Sequence, residues 1–261
     1  MSQQEDFYIG YLNGQKLSKS LWVFVGAVLI IAPLLAVWLV SRQRGFADST
    51  YEFGNLTQHE GIIVNDPIPM LLREDKSIPL IGYGKFGADA LFEELPEPPF
   101  EAKVEGTLVY YDGRTLLEVT NGVKGIEVGE AVPLENDKMT AAQRRLIGRE
   151  AKVLGPSWFG GEIIDPKCYF GAMTPGQGKP HRSCAIRCIS GGIPPVFAVH
   201  NGGDVEYYLL RGKDGEPINQ QILDLVALPV LLSGELLEYG DWKVLRCDPK
   251  NIERDPQRYA H

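Results

Sequence analysis

Cysteine is absent from the first 167 residues, and only four follow: Cys168, Cys184, Cys188 and Cys247. Histidine is equally sparse. His59, His181, His200 and His261 are the whole supply, which leaves little material for a Ser-His-Asp triad. No G-x-S-x-G, Walker loop, H-E-x-x-H or dinucleotide fingerprint occurs, so the commonest hydrolase, nucleotide and metalloprotease sites are not written here. Basic runs are also missing. With 26 Lys and Arg against 34 Asp and Glu, and a formal charge of −8, no cluster exists to neutralise phosphates. That argues against a nucleic-acid partner. Long helical periodicities are few, while 29 Gly and 18 Pro point to short strands joined by turns.

One long apolar run stands out against this. Leu21 to Val40, LWVFVGAVLIIAPLLAVWLV, holds twenty residues without a charge, the length that spans a hydrocarbon core of roughly 30 Å. Trp22 and Trp38 sit near its ends, where indoles favour the membrane interface. A cleaved signal peptide has a shorter apolar core and a small-residue cleavage site. Here Ser41-Arg42-Gln43-Arg44 follows at once and reads as a stop, so a retained single-pass helix is expected. Lys16 and Lys19 before it and Arg42 and Arg44 after it tie the positive-inside count. Cysteine usage tips the balance slightly toward a cytoplasmic tail over residues 1–20 and an exported remainder.

The remainder contains an internal repeat. AKVEGTLVYYDGRTLLEV around Gly106 matches VLLSGELLEYGDWKVLRC around Gly234 without a gap, pairing Leu108 with Leu236, Tyr111 with Tyr239 and Leu117 with Leu245 at an offset of 128. The same offset sets Gly84-Lys85-Phe86-Gly87 on Gly212-Lys213-Asp214-Gly215. Further upstream Glu60-Gly61-Ile62-Ile63 falls on Gly160-Gly161-Glu162-Ile163 at an offset of 100, each followed by Asp-Pro. The second copy has therefore gained 28 residues between Asp165 and Tyr208. Each copy reads as strands, a short helix (Ala88 to Leu95; Ile218 to Ala227) and a hairpin turning at Asp112-Gly113 or Gly240-Asp241. The fold expected is mainly β: after the membrane helix, two tandem OB-like small β-barrels related by duplication, over 45–155 and 156–261. A β-sandwich is the alternative. A further short helix is expected from Ala141 to Ile147.

The gained segment, 168–195, is where chemistry would reside. Its spacing is Cys168-x12-His181-x2-Cys184-x3-Cys188. Pro180 suits the first turn of a helix and Gly191-Gly192 its end. On that helix His181, Cys184 and Cys188 share one face, and Cys168 approaches through the Gly-rich loop. Three thiols and an imidazole suit zinc or copper as Cu(I). A disulfide among the cysteines, stapling the insertion, and a redox-active thiol are the competing readings. No C-x2-C-H haem site and no paired C-x2-C knuckles are present. Cys247 takes the repeat position of Val119 and reads as a buried structural thiol.

The run IIDPKC…H-x2-CA-x2-C-x-x-GG-x-P-x-V-F, then YYLL and an L-x-G-x-L hairpin, resembles a group of exported bacterial proteins carrying D-x-K-C…H-x2-CA-x2-C before an OB-like barrel. The likeness covers Gly160 to Pro249, and its motif falls on Cys168, His181, Cys184 and Cys188. FYIGYL before the anchor (Phe7 to Leu12) is similar to the start of some bacterial membrane-anchored proteins. The resemblance implies bacterial export and an OB-like fold, and it implies no reaction.

Two functions follow. The first is a non-catalytic accessory or assembly subunit of a bacterial inner-membrane complex, held by Leu21–Val40, with its soluble region in the periplasm. It would dock a membrane-protein partner through the Cys/His element or through Tyr207, Tyr208, Trp158 and Phe159, although such aromatics are more commonly core residues. The second is a thiol-redox or metal-handling protein that uses Cys168, His181, Cys184 and Cys188.

Overall fold

The computed structural model describes residues 18–42, 49–73, 76–133, 143–144 and 151–255. The apolar run forms one continuous helix, α1 (Lys19–Arg42), of 24 residues with Pro33 inside it. At about 1.5 Å per residue it is some 36 Å long, enough to cross a bilayer core. None of its apolar window is buried against protein. Length and composition suit a membrane span or a signal sequence.

From Phe46 on, the chain forms a separate compact unit with thirteen strands among the described residues. The first barrel comprises β1 (Thr50–Tyr51), β2 (Thr57–Val64), β3 (Met70–Leu72), β4 (Ser77–Gly82), β5 (Phe100–Tyr111), β6 (Arg114–Val119) and β7 (Ile126–Ala131). The second comprises β8 (Lys152–Ile164), β9 (Val196–Asn201), β10 (Asp204–Arg211), β11 (Pro229–Tyr239), β12 (Trp242–Arg246) and β13 (Glu253–Arg254). In the first, β2, β3, β4, β6 and β5 pair in that order, and β5 closes back onto β2. In the second, β8, β9, β10, β12 and β11 follow the same path, and β11 closes onto β8. Each is a closed five-stranded barrel in which one pair of strands, β4–β6 or β10–β12, runs parallel. The fold is thus the expected pair of OB-like barrels and not a sandwich.

Backbone crowding ties the two copies together residue by residue. A Cβ added at Gly106 would lie 2.2 Å from the carbonyl oxygen of Glu118, and one at Gly234 would lie 2.2 Å from that of Arg246. Both pairs obey the 128 offset. Only glycine lets β5 and β11 bend this closely over the next strand. The hairpins close at Asp112-Gly113 and Gly240, all with positive φ. The short helices also appear, as 3₁₀ turns over Asp89–Glu93 and Asn219–Leu225.

Three expectations need correction. Upstream of the hairpin the offset is 130, because Leu80 faces Leu117 while Leu210 faces Leu245. The structural match of Gly212 is Gly82: Gly82 N donates to Phe86 O at 2.9 Å and Gly212 N to Glu216 O at 2.8 Å. Setting the two Gly-Lys-x-Gly runs together reflected turn composition, whereas strand pairing sets the register. The second barrel starts at Lys152 and not at 156, since β8 runs unbroken through that boundary. Tyr207 and Tyr208 are buried, not displayed, at 3% and 1% exposure, although Trp158 is 65% exposed. The helix expected over Ala141–Ile147 lies outside the described residues except for Gln143 and Arg144, which are helical.

Alternating residues serve two cores. Ile63, Leu71, Leu80 and Leu117 fill the first barrel, and Ile163, Phe197, Tyr208, Leu210 and Leu245 fill the second. Their strand neighbours point outward into one shared core: Val64, Met70, Leu72, Val109 and Leu116 from one side, Ile164, Val196, Ala198, Leu237 and Val244 from the other. The hairpin tips complete this interface reciprocally. Asp241 Oδ1 accepts from Ser77 N at 2.9 Å, and Asp112 Oδ2 accepts from Tyr207 Oη–H at 3.1 Å. Ser77 and Tyr207 are matched positions at the 130 offset, so the contact is two-fold in character, as in an isologous dimer. A buried ion pair, Lys167 with Glu118, crosses the same seam, and Tyr51 Oη–H donates to Glu118 at 3.0 Å.

Gly106→Ala and Gly234→Ala should each destabilise by about 1–3 kcal/mol, the usual scale of overpacking. Urea unfolding measures this, and wild-type midpoints in both would show that the crowding is not real. Glu118→Ala strands a buried ammonium and should cost about 3–5 kcal/mol, while the double change Lys167→Met with Glu118→Leu should restore most of it. A double variant as unstable as the single one would contradict the buried-pair account. A chain beginning at Phe46 should stay folded and soluble without detergent. Partition into membranes would reveal an attachment outside the N-terminal helix.

Candidate metal centre

The connection after the first barrel strand is residues 65–69 in one copy and 165–195 in the other, so the extra segment projects from the β8–β9 turn. Asp165 begins it. Its Oδ1 accepts from the backbone N–H of Lys167 at 3.0 Å and of Cys168 at 3.5 Å, a local turn that directs Cys168 inward. A π-type turn over Cys168–Ala172 and a loop lead into α2 (Gly178–Ser190). Pro180 lies in its first turn, and Glu162 from β8 accepts from Gly178 N–H at 2.6 Å, neutralising the helix start. Arg182 donates to the carbonyls of Val226 and Asp224, and Asn219 donates to those of Ile189 and Ile193, fixing α2 to its own barrel.

The other end of α2 is held by the first barrel. Gly87 N donates to Gly191 O at 3.0 Å, and a Cβ on Gly191 would meet Lys85 O at 2.0 Å. The Gly191-Gly192 pair therefore ends the helix and also lets the loop after β4 come into contact. That contact delivers Lys85 to the cysteines, with Nζ 2.9 Å from Cys184 Sγ and 3.9 Å from Cys188 Sγ.

The ligand atoms of Cys168, Cys184 and Cys188 lie within 4.8 Å of one another. A second group, Asp165, Cys168 and His181, meets the same limit, so Cys168 belongs to both. The expected set of Cys168, His181, Cys184 and Cys188 thus divides: the three thiols converge, and His181 sits on the Asp165 side of Cys168. Asp165 was missed as a site residue because Asp165-Pro166 read only as a strand end. Cys247 stands apart inside the second barrel, where burial pushes its thiol up to about 12.

No disulfide is present: all four cysteines are free, and Cys168 and Cys184 have their sulfurs 3.9 Å apart, against about 2.05 Å for a bond. Tetrahedral zinc at about 2.3 Å from each sulfur would set neighbouring sulfurs about 3.8 Å apart, which that pair already matches. Asp165 Oδ2 and His181 Nε2 are buried without a hydrogen-bond partner among the described residues, an arrangement that an ion would relieve. Burial holds His181 below the usual imidazole range, favouring its neutral, ligating form. A hydrogen bond with Cys188, then burial, pushes the Cys168 thiol upward, so a metal must displace its proton. The Cys184 hydrogen bond holds the Lys85 ammonium above its ordinary value. Cys184 is the only thiol of the three that is partly exposed. A separate cleft of about 880 Å³, lined by Glu60, Arg73, Lys76 and Glu127 of the first barrel among others, shares none of these residues.

No family model matches the chain, and neither does any curated protein. Among solved structures, the Ifi202 HINa domain in complex with a 20-base-pair double-stranded DNA is similar at a TM-score of 0.23 and 9% identity, over 79% of this chain and 100% of that one. A chain described as "Structural mimicry for functional antagonism" is similar at a TM-score of 0.23 and 9% identity, over 81% of this chain and 98% of that one. Likeness at this level carries no argument about either binding or family.

Proposed function

We propose that this protein is a non-catalytic accessory subunit of a bacterial inner-membrane complex whose Cys/His insertion holds or hands on a soft or borderline metal, zinc or Cu(I). Leu21–Val40 would anchor it, with the barrels on the periplasmic side. Of the two functions drawn from the sequence, metal handling gains the more support. One observation carries it: three free thiols converge beside a buried carboxylate and imidazole that lack partners, in a segment that barrel closure does not need. Thiolates suit Cu(I) and zinc, whereas the Asp165 and His181 side suits zinc. Trp158 on β8 is exposed with Val153 and Leu154, and these offer apolar surface for a membrane-protein partner.

The full chain, purified in detergent under reducing and anaerobic conditions, should carry near-stoichiometric zinc or copper by elemental analysis. Cys184→Ser and Cys188→Ser should lose most of it, and Cys247→Ser should keep it. A wild-type chain that stays metal-free after incubation with either ion, with its thiols intact, would sink the proposal.

A further inference from the structure

Lys85 is foreign to the insertion, yet its ammonium is aimed at sulfur. No carboxylate forms an ion pair with it among the described residues. Its backbone is held at both sides, by Gly82 N to Phe86 O and by Gly87 N to Gly191 O. Its nitrogen lies nearer to Cys184 Sγ, at 2.9 Å, than Cys168 Sγ does, at 3.9 Å. Cys184 is also the thiol of the cluster that solvent reaches. A sulfur oxidised here meets an amine before it meets a second sulfur.

We propose that Lys85 and Cys184 form a reversible covalent N–O–S bridge when a peroxide reaches a Cys184 that holds no metal. Peroxide first converts the Cys184 thiol to sulfenic acid and leaves as water. A second peroxide oxidises the lysine nitrogen to the hydroxylamine level. The sulfenic oxygen then links nitrogen and sulfur. Overall, one thiol, one amine and two hydrogen peroxide molecules give the bridge and three waters, and the ammonium proton passes to solvent. Reduction by two equivalents of a dithiol returns thiol and amine, releases the bridging oxygen as water and leaves two cyclic disulfides. The bridge joins the first barrel to the insertion of the second, and bound metal protects against it by occupying the sulfur.

The full chain in detergent is stripped with a chelator, exposed to hydrogen peroxide, digested without reductant and analysed by mass spectrometry. The peptides holding Lys85 and Cys184 should appear joined, at their summed mass plus one oxygen less two hydrogens, and dithiothreitol should separate them. Lys85→Gln and Cys184→Ser should abolish the joined species, and Cys247→Ser should leave it. Lys85→Gln should unfold at the wild-type temperature, which separates loss of the bridge from loss of fold. Recovery of Cys184 as sulfenic or sulfinic acid, or disulfide-bonded to Cys168, with Lys85 unmodified, overturns the proposal. So does a joined mass lacking the oxygen. Metal content is measured separately, so either proposal can fail without the other.

Discussion

Everything beyond the N-terminal apolar helix depends on the apolar layer trapped between the two barrels. A small antiparallel barrel usually turns one face of each strand to water. Here Val64, Met70, Val109 and Leu116 on one side, and Ile164, Val196, Leu237 and Val244 on the other, are buried outside their own barrels. The barrels therefore fold as one compact body. Apolar contact alone permits sliding, and directional bonds fix the register: Asp241 to Ser77, Tyr207 to Asp112, Trp242 to the Ser77 carbonyl, and Lys167 to Glu118. Once that seam is set, the loop after β4 has one place to go, and Lys85 arrives at the cysteines.

Much of this was legible in the sequence because it rests on periodicity and on small residues. The apolar stretch, the hairpins, the duplicated glycines and the place of the insertion follow from patterns of charge, spacing and turn chemistry. The Gly84/Gly212 alignment misled because Gly-Lys turns recur for local reasons, whereas the parallel β4–β6 and β10–β12 contacts set the true register. Tyr207 and Tyr208 left both readings open in the sequence, surface or core, and the structure takes the core one because their strand is buried on both faces. At the centre, helical spacing placed His181, Cys184 and Cys188 on one face, but contacts made across the seam leave no local signal. Lys85 escaped notice for that reason, and Asp165 because Asp165-Pro166 read only as a strand end.

The centre gathers groups that are costly to bury alone. Asp165, Cys168, His181 and Cys188 are all nearly inaccessible, and a water-poor setting strengthens every charge brought into it. Burial favours the neutral imidazole of His181, and the Cys188 hydrogen bond with burial favours the protonated thiol of Cys168. Under the proposed metal role, a cation would exchange protons for bonds, with the Lys85 ammonium beside Cys184 to balance thiolate charge. Both barrels already meet at these few side chains.

The shared layer also has a consequence in time. The first barrel can close as soon as residues 57–119 exist, but its outward face has no cover until β9 through β12 have been made. Between those moments the nascent chain carries a sticky flank of Val64, Met70, Leu72, Val109 and Leu116, the kind of exposure that invites aggregation. Carrying both barrels on one polypeptide shortens that interval. It replaces an encounter between separate molecules with a delay set only by the speed of synthesis.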